Sequence, residues 1–267
     1  MLVDVTTDER MDQISSFGYA FGYIGSCIPF IAGIILILVK PFGLTTLLAT
    51  QISFVITIVW WFLLAIPLLK NVKQTHYLRP KKNIVKHSFR RLYVTFMKLK
   101  KNKRLLYYIL GYFFYIDGVY TIISMATSYG SALGIDSTQL VLALLVTQFV
   151  AFPSAIIYGK LAGRVGTLNM IMVAVAAYMG IVLFAAFFLK TAFEFWVLAI
   201  LVGLFQGGVQ ALSRSYFGRI IPKEKSNEYY GFFDIFGRYA SVMGTFLVSV
   251  ITAATGSANL GVLSIGI

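Results

Sequence analysis

Asp117 places a carboxylate near the middle of an apolar stretch, where an ionised acid is costly unless protein or water surrounds it. Thr121, Ser124 and Ser128 follow at i+4, i+7 and i+11, so that a helix would carry them as one polar stripe. The stripe implies a hydrophilic cavity in which the acid takes up a driving proton or pairs with an amine on a substrate. The alternative is a structural Asp, protonated or hydrogen-bonded to a neighbouring helix. Gln206 shares a helical face with Gly203, Gly207 and Gln210 that continues into Ser213 and Arg214. Amides there can hydrogen-bond a zwitterionic solute or join helices beside small residues. A third set, Asp234, Arg238, Ser241, Thr245 and Ser249, falls at i, i+4, i+7, i+11 and i+15. Asp and Arg four apart can form an ion pair that lowers the cost of placing either near hydrocarbon. Because their span starts at the inner face, the pair suits a gate or structural lock better than a substrate site. Pro153 removes a backbone hydrogen bond and can kink its helix, freeing a carbonyl.

The elements that position these groups follow from composition. The 267 residues are 58% hydrophobic and 12% charged, with a mean hydropathy of +0.81, so most of the chain cannot face water. Apolar runs long enough to cross the hydrocarbon as helices occur at about 17–39, 46–68, 105–127, 139–158, 168–189, 195–212 and 231–254. The chain is therefore all-α, a polytopic membrane helix bundle of seven complete spans, whose principal partner is the lipid bilayer.

The net charge of +13 does not point to nucleic acid, because thirteen of the 23 Lys and Arg residues fall between Lys70 and Arg104. With that segment cytoplasmic, Arg10, Lys160, Arg164, Arg214, Arg219, Lys223 and Lys225 join it inside, and Lys40 and Lys190 alone lie outside. This asymmetry obeys the positive-inside rule across every loop. Cys27 is a single cysteine within a span, so no internal disulfide is expected. His76 and His87 lack acidic or cysteine companions and read as solvated loop residues. With no nucleophile and base pair, metal cluster or phosphate loop, the residues suggest neither an enzyme nor a cofactor.

The amino terminus lacks the basic lead of a signal peptide. Thr6 and Glu9 fit a capping box, predicting a short helix over 7–15 ahead of the first span. That span carries Gly18, Gly22 and Gly25, a stripe that favours close helix packing, while Tyr19, Tyr23 and Ser26 are placed to line a pathway. Within the basic loop, Pro80 breaks any helix, and Val85, Phe89, Leu92, Phe96 and Leu99 then recur at spacings of four and three. Lys86, Arg90, Arg91 and Lys98 take other faces, predicting a basic amphipathic helix on the cytoplasmic leaflet; the alternative is a solvated linker. After Thr255 to Asn259, an apolar start at Leu260 to Ile267 reads as an eighth span that the chain enters but does not complete.

Gly159-Lys-Leu-Ala-Gly-Arg-Val-Gly166 joins two of the spans. Gly159, Gly163 and Gly166 permit tight geometry, and Lys160 and Arg164 supply cations for helix ends and lipid phosphates. The spacing resembles the G-x-L-A-D-R-x-G signature of the major facilitator superfamily, with Gly163 where the signature has Asp. More specific segments are Ser15 to Gly25, Gly111 to Ile123, Gln148 to Pro153 and Gly207 to Ser215. With these the chain resembles the autophagy-related vacuole effluxer-like permeases and their bacterial relatives, from about residue 8 to the end. The resemblance implies a partial major facilitator fold: a lead (1–16), the last two spans of the N-terminal half (17–69), a central loop (70–104), and a C-terminal half of five spans plus a truncated sixth (105–267). The family's first four spans have no counterpart here. Arg238 stands where relatives commonly have Lys, and Thr245 where they commonly have Pro.

The resemblance implies a secondary carrier working by alternating access on a small polar solute, with fungal members associated with amino-acid export from the vacuole. Asp117, Thr121, Ser124, Gln206 and Gln210 are then expected along the substrate or proton pathway. Gly159, Lys160, Gly163, Arg164, Gly166, Arg214, Asp234 and Arg238 are expected at gates or the motif turn. The expected setting is a bacterial plasma membrane, or the vacuolar membrane for a fungal chain, with a separate chain as one source of the missing spans. The competing expectation, resting on span count, is a seven-span receptor or membrane scaffold.

Overall fold

Hydrocarbon offers backbone amides no partners, so the apolar runs can satisfy themselves only as helices. The computed structural model describes residues 2–72 and 84–266, and no strand occurs among them. A short turn, α1 (Leu2–Val5), precedes α2 (Met11–Ile34) and α3 (Thr46–Asn71). An amphipathic α4 (Ile84–Lys101) leads into α5 (Lys103–Ala132), α6 (Ser137–Val165), α7 (Thr167–Phe188), α8 (Ala192–Ile220), α9 (Ser226–Thr255) and the short α10 (Ala258–Leu263). Seven of these segments are long and apolar enough to span a membrane, as the hydropathy pattern requires, and the protein is a multi-pass integral membrane protein. His76 and Pro80 lie outside the described residues, as do the side chains of Val85, Lys86 and His87.

Polar residues set the helix ends. The Asp136 carboxylate accepts from the Thr138 N–H at 2.9 Å to open α6, and Asn102 accepts from the Leu105 N–H at 3.3 Å to open α5. Thr191 and Glu194 form a reciprocal capping box at the start of α8. The box expected from Thr6 and Glu9 does not form. A 3-10 turn at Asp8–Arg10 feeds directly into α2, without a side-chain cap, so the lead and first span are nearly continuous.

α8 is the most buried span, packed between α6, α7 and α2. Small residues allow this. A Cβ at Gly203 would stand 2.8 Å from the Thr147 carbonyl, and one at Gly207 would stand 2.9 Å from the Ala155 Cβ. α5 packs on α9, α4 crosses beside both, and α3 touches the remainder chiefly through α2. Gly18, Gly22 and Gly25 do not serve the close helix approach expected of them, since a Cβ at any of the three would meet nothing within 4 Å.

Candidate functional site

α2, α5 and α9 converge on a polar cavity of about 580 Å³. α9 supplies Asp234, Arg238 and Ser241; α5 supplies Tyr112, Tyr120 and Ser124; α2 supplies Tyr19. Tyr112 stacks on Phe233 with ring centroids 4.0 Å apart, and Gly237 leaves room for its hydroxyl between the two charged residues of α9. Among the described residues no ion pair joins Asp234 to Arg238, contrary to the expectation from their i, i+4 spacing. Both side chains are exposed to the cavity, so neither carries the desolvation cost that mutual pairing would offset.

Tyr19 also lines an adjoining cavity of about 480 Å³ between α2, α6 and α8, together with Tyr23, Ser26, Gln148, Gln210 and Arg214. The Tyr23 hydroxyl donates to Gln210 Oε1 at 3.4 Å. Gln206, one turn earlier, parts company with Gln210. It is buried beside a small cavity lined by Thr147 and Gln148, and among the described residues its amide nitrogen has no acceptor.

The stripe that begins at Asp117 divides in the same way. Ser124 reaches the polar cavity, but Asp117 Oδ1 accepts the Gly244 N–H at 2.9 Å and the Thr121 hydroxyl at 3.3 Å. Thr121 is fully buried. Asp117 lines a separate, largely apolar cavity of about 350 Å³ with Tyr178, Met243 and Gly244. A Cβ at Gly244 would collide with both Asp117 and Thr121, so this glycine is what lets the carboxylate reach the neighbouring backbone.

A further polar network lies at the basic end of the bundle. Asp12, buried on α2, is ion-paired with Arg219 near the end of α8. Its Oδ2 also accepts from Thr167 Oγ1 at 2.8 Å, and its Oδ1 accepts from Ser215 Oγ at 2.5 Å. Arg219 donates further to Thr167 Oγ1 at 2.8 Å and to the Asp8 carbonyl at 3.1 Å. Both carboxylate oxygens of Asp12 thus have partners, which is what lets a buried pair be tolerated. Outside it, Lys223 and Asp8 form an exposed pair at 3.0 Å.

The glycines of the motif turn serve this network. Gly166, at φ +97°, turns the chain from α6 to α7 in one residue and so delivers Thr167 to Asp12. Gly159 faces α2, where a Cβ would stand 2.6 Å from Ser16. Gly163 helps line the cavity beside Asp12, and Lys160 and Arg164 are exposed. Arg214 faces the cavity with Gln210 instead, 6.0 Å from the Tyr230 ring centroid. Asp12, Thr167, Ser215 and Arg219 were not singled out by sequence reasoning. The available signal was an acid at the head of the first span, with the signature's own acid missing at Gly163. Among the described residues no group of three or more His, Cys, Asp or Glu side chains is placed to hold a metal.

Comparison with known proteins gives a consistent match. The family model described as vacuole effluxer Atg22 like covers residues 3–267. An uncharacterized MFS-type transporter of Bacillus subtilis (strain 168), YxiO, is 48% identical over 267 residues, covering 99% of this chain and 62% of that protein. Autophagy-related protein 22 of Yarrowia lipolytica is 26% identical across 91% of this chain and 46% of its own length. The protein of the same name from Saccharomyces cerevisiae (strain S288c) is 30% identical across 65% and 35%. The chain thus spans less than two thirds of the relatives it matches.

Proposed function

Since the chain belongs to the Atg22-like vacuole effluxer family, a family of MFS-type transporters rather than enzymes, we propose that it forms part of a secondary transporter for small zwitterionic solutes such as amino acids. The observation that carries this reading is the cavity between α2, α5 and α9. It presents Asp234 and Arg238, unpaired with one another, among tyrosine hydroxyls. A carboxylate and a guanidinium about one helical turn apart suit the ammonium and carboxylate of one small solute, each forming a charge-assisted hydrogen bond. Arg214 and Gln210 extend the polar wall.

Carriers of this type bind substrate between two halves that rock against each other. In this reading α2 and α3 belong to one half, α5 to α10 to the other, and the remaining wall comes from four further helices, upstream or on a separate chain. The Asp12, Thr167, Ser215 and Arg219 network then acts as a latch between halves, closed at the end that charge places in the cytoplasm. Alternating access requires that latch to open. Asp117 is the proposed proton acceptor. Protonation would weaken its two acceptor bonds, to Gly244 and Thr121, and so couple a proton to the spacing of α5 and α9.

The test is uptake of labelled amino acids by proteoliposomes holding the chain together with the four further helices that this reading calls for. Saturable uptake competed by amino acids, but not by the matching amine or carboxylic acid alone, is expected. Uptake competed equally well by an amine lacking a carboxylate would overturn the zwitterion reading. Asp117→Asn should keep the protein folded and flatten the dependence of uptake on pH; an unchanged pH profile would remove Asp117 from coupling.

A further inference from the structure

The rotation of α4 about its axis is set by what it buries. Thr95 and Leu99 are turned into the bundle, the Thr95 hydroxyl donates to Glu228 Oε2 at 2.8 Å, and Phe96 stacks with Phe232 at 6.4 Å between centroids. The helix is thereby fastened to the first turns of α9. At about 100° per residue, this leaves Phe89, Tyr93 and Met97 on one flank at i, i+4 and i+8, all exposed. Arg90, Lys98 and Lys101 form an adjacent strip, also exposed. The apolar stripe anticipated from periodicity is therefore divided: Leu99 serves the bundle, whereas Phe89 joins a second, exposed strip.

We infer that α4 docks on an anionic bilayer leaflet, with Phe89, Tyr93 and Met97 at the acyl boundary and Arg90, Lys98 and Lys101 against lipid phosphates. Adjacent aromatic and basic strips are what an interfacial helix requires, and the spans on either side keep α4 near the membrane surface. A nucleic-acid backbone would meet the cations through its phosphates but supplies no hydrocarbon for Met97, whereas a leaflet supplies both phosphates and hydrocarbon. Among the described residues no ion pair neutralises Arg90, Lys98 or Lys101. The Lys225 ammonium beside Lys98 holds its pKa below the usual lysine value, an effect that the Glu228 carboxylate partly opposes.

The test uses the full chain carrying Cys27→Ser and Tyr93→Cys, with a nitroxide on the introduced thiol. It is reconstituted in vesicles of phosphatidylcholine alone or of equal parts phosphatidylcholine and phosphatidylglycerol. In the anionic vesicles the nitroxide should become accessible to oxygen and protected from a water-soluble relaxing agent, and molar salt should reverse this by shortening the screening length to about 3 Å. Neutralising Arg90, Lys98 and Lys101 to Gln should lower the ratio of docked to undocked helix by roughly fivefold for each cation removed. A nitroxide equally wet in both vesicles would overturn the proposal. So would protection indifferent to phosphatidylglycerol and salt, a result that needs no basic-residue variant and so does not depend on how one folds.

Discussion

At the scale of single residues, burial separates two ion pairs that each join an aspartate near the amino terminus to a cation at or just after the end of α8. Asp12 is buried and shared among Arg219, Thr167 and Ser215, whereas Asp8 and Lys223 meet in the open. Removing one partner of a buried pair leaves a charge without solvent, at a cost of about 3–5 kcal/mol, while an exposed pair contributes about 0–1 kcal/mol. Arg219 keeps about a quarter of its exposure, so Asp12→Ala should lie near the lower figure. Lys223→Gln should scarcely register. Thermal unfolding of the two variants in one detergent checks this, and equal effects would mean that the network does not hold the bundle. Asp234→Asn and Arg238→Gln carry no such structural cost, because both side chains face the cavity. Each should weaken solute affinity by roughly tenfold or more, the worth of one hydrogen bond to a charged group, with expression unchanged.

At the scale of elements, the approach of α6 to α8 depends on missing side chains. Gly203→Leu should impose at least about 1–3 kcal/mol of overpacking and lower the yield of folded protein, since even its Cβ would press on the Thr147 carbonyl. The same change at Gly18, which faces open space, should be tolerated; size-exclusion profiles in detergent distinguish the two. Much at this scale was legible beforehand. Hydropathy located all seven spans, because length and apolarity are local properties. Periodicity revealed α4, and the i+4 spacing put Thr121 on the same face as Asp117, where the two are hydrogen-bonded. What remained hidden depended on rotation and partners. A polar stripe does not say which neighbour it faces, so Asp117 and Ser124 share a helix but line different cavities. The Asp12 network joins residues 155 to 203 positions apart through hydroxyls that carry no signal of their own. The box at Thr6 and Glu9 had the right letters, but a 3-10 turn runs straight into α2 instead.

At the scale of the whole molecule, charge sets orientation, and cysteine labelling reads it directly. In a Cys27→Ser background, Ser88→Cys on α4 should react only from the inner side of the membrane, as the density of Lys and Arg around it requires. Reaction from outside intact cells would invert the topology and with it the proposed latch. The most direct measurement of the central claim is competition for uptake in vesicles holding the chain together with the four further spans proposed for the carrier, comparing wild type with Asp234→Asn and Arg238→Gln. The account predicts saturable uptake of a zwitterion that falls by roughly tenfold or more in each variant. It also predicts that Arg238→Gln erodes discrimination against an amine lacking the carboxylate, and that Asp234→Asn erodes discrimination against an acid lacking the amine. Uptake that keeps its affinity and its solute preference in both variants would contradict the assignment of this cavity as the substrate site.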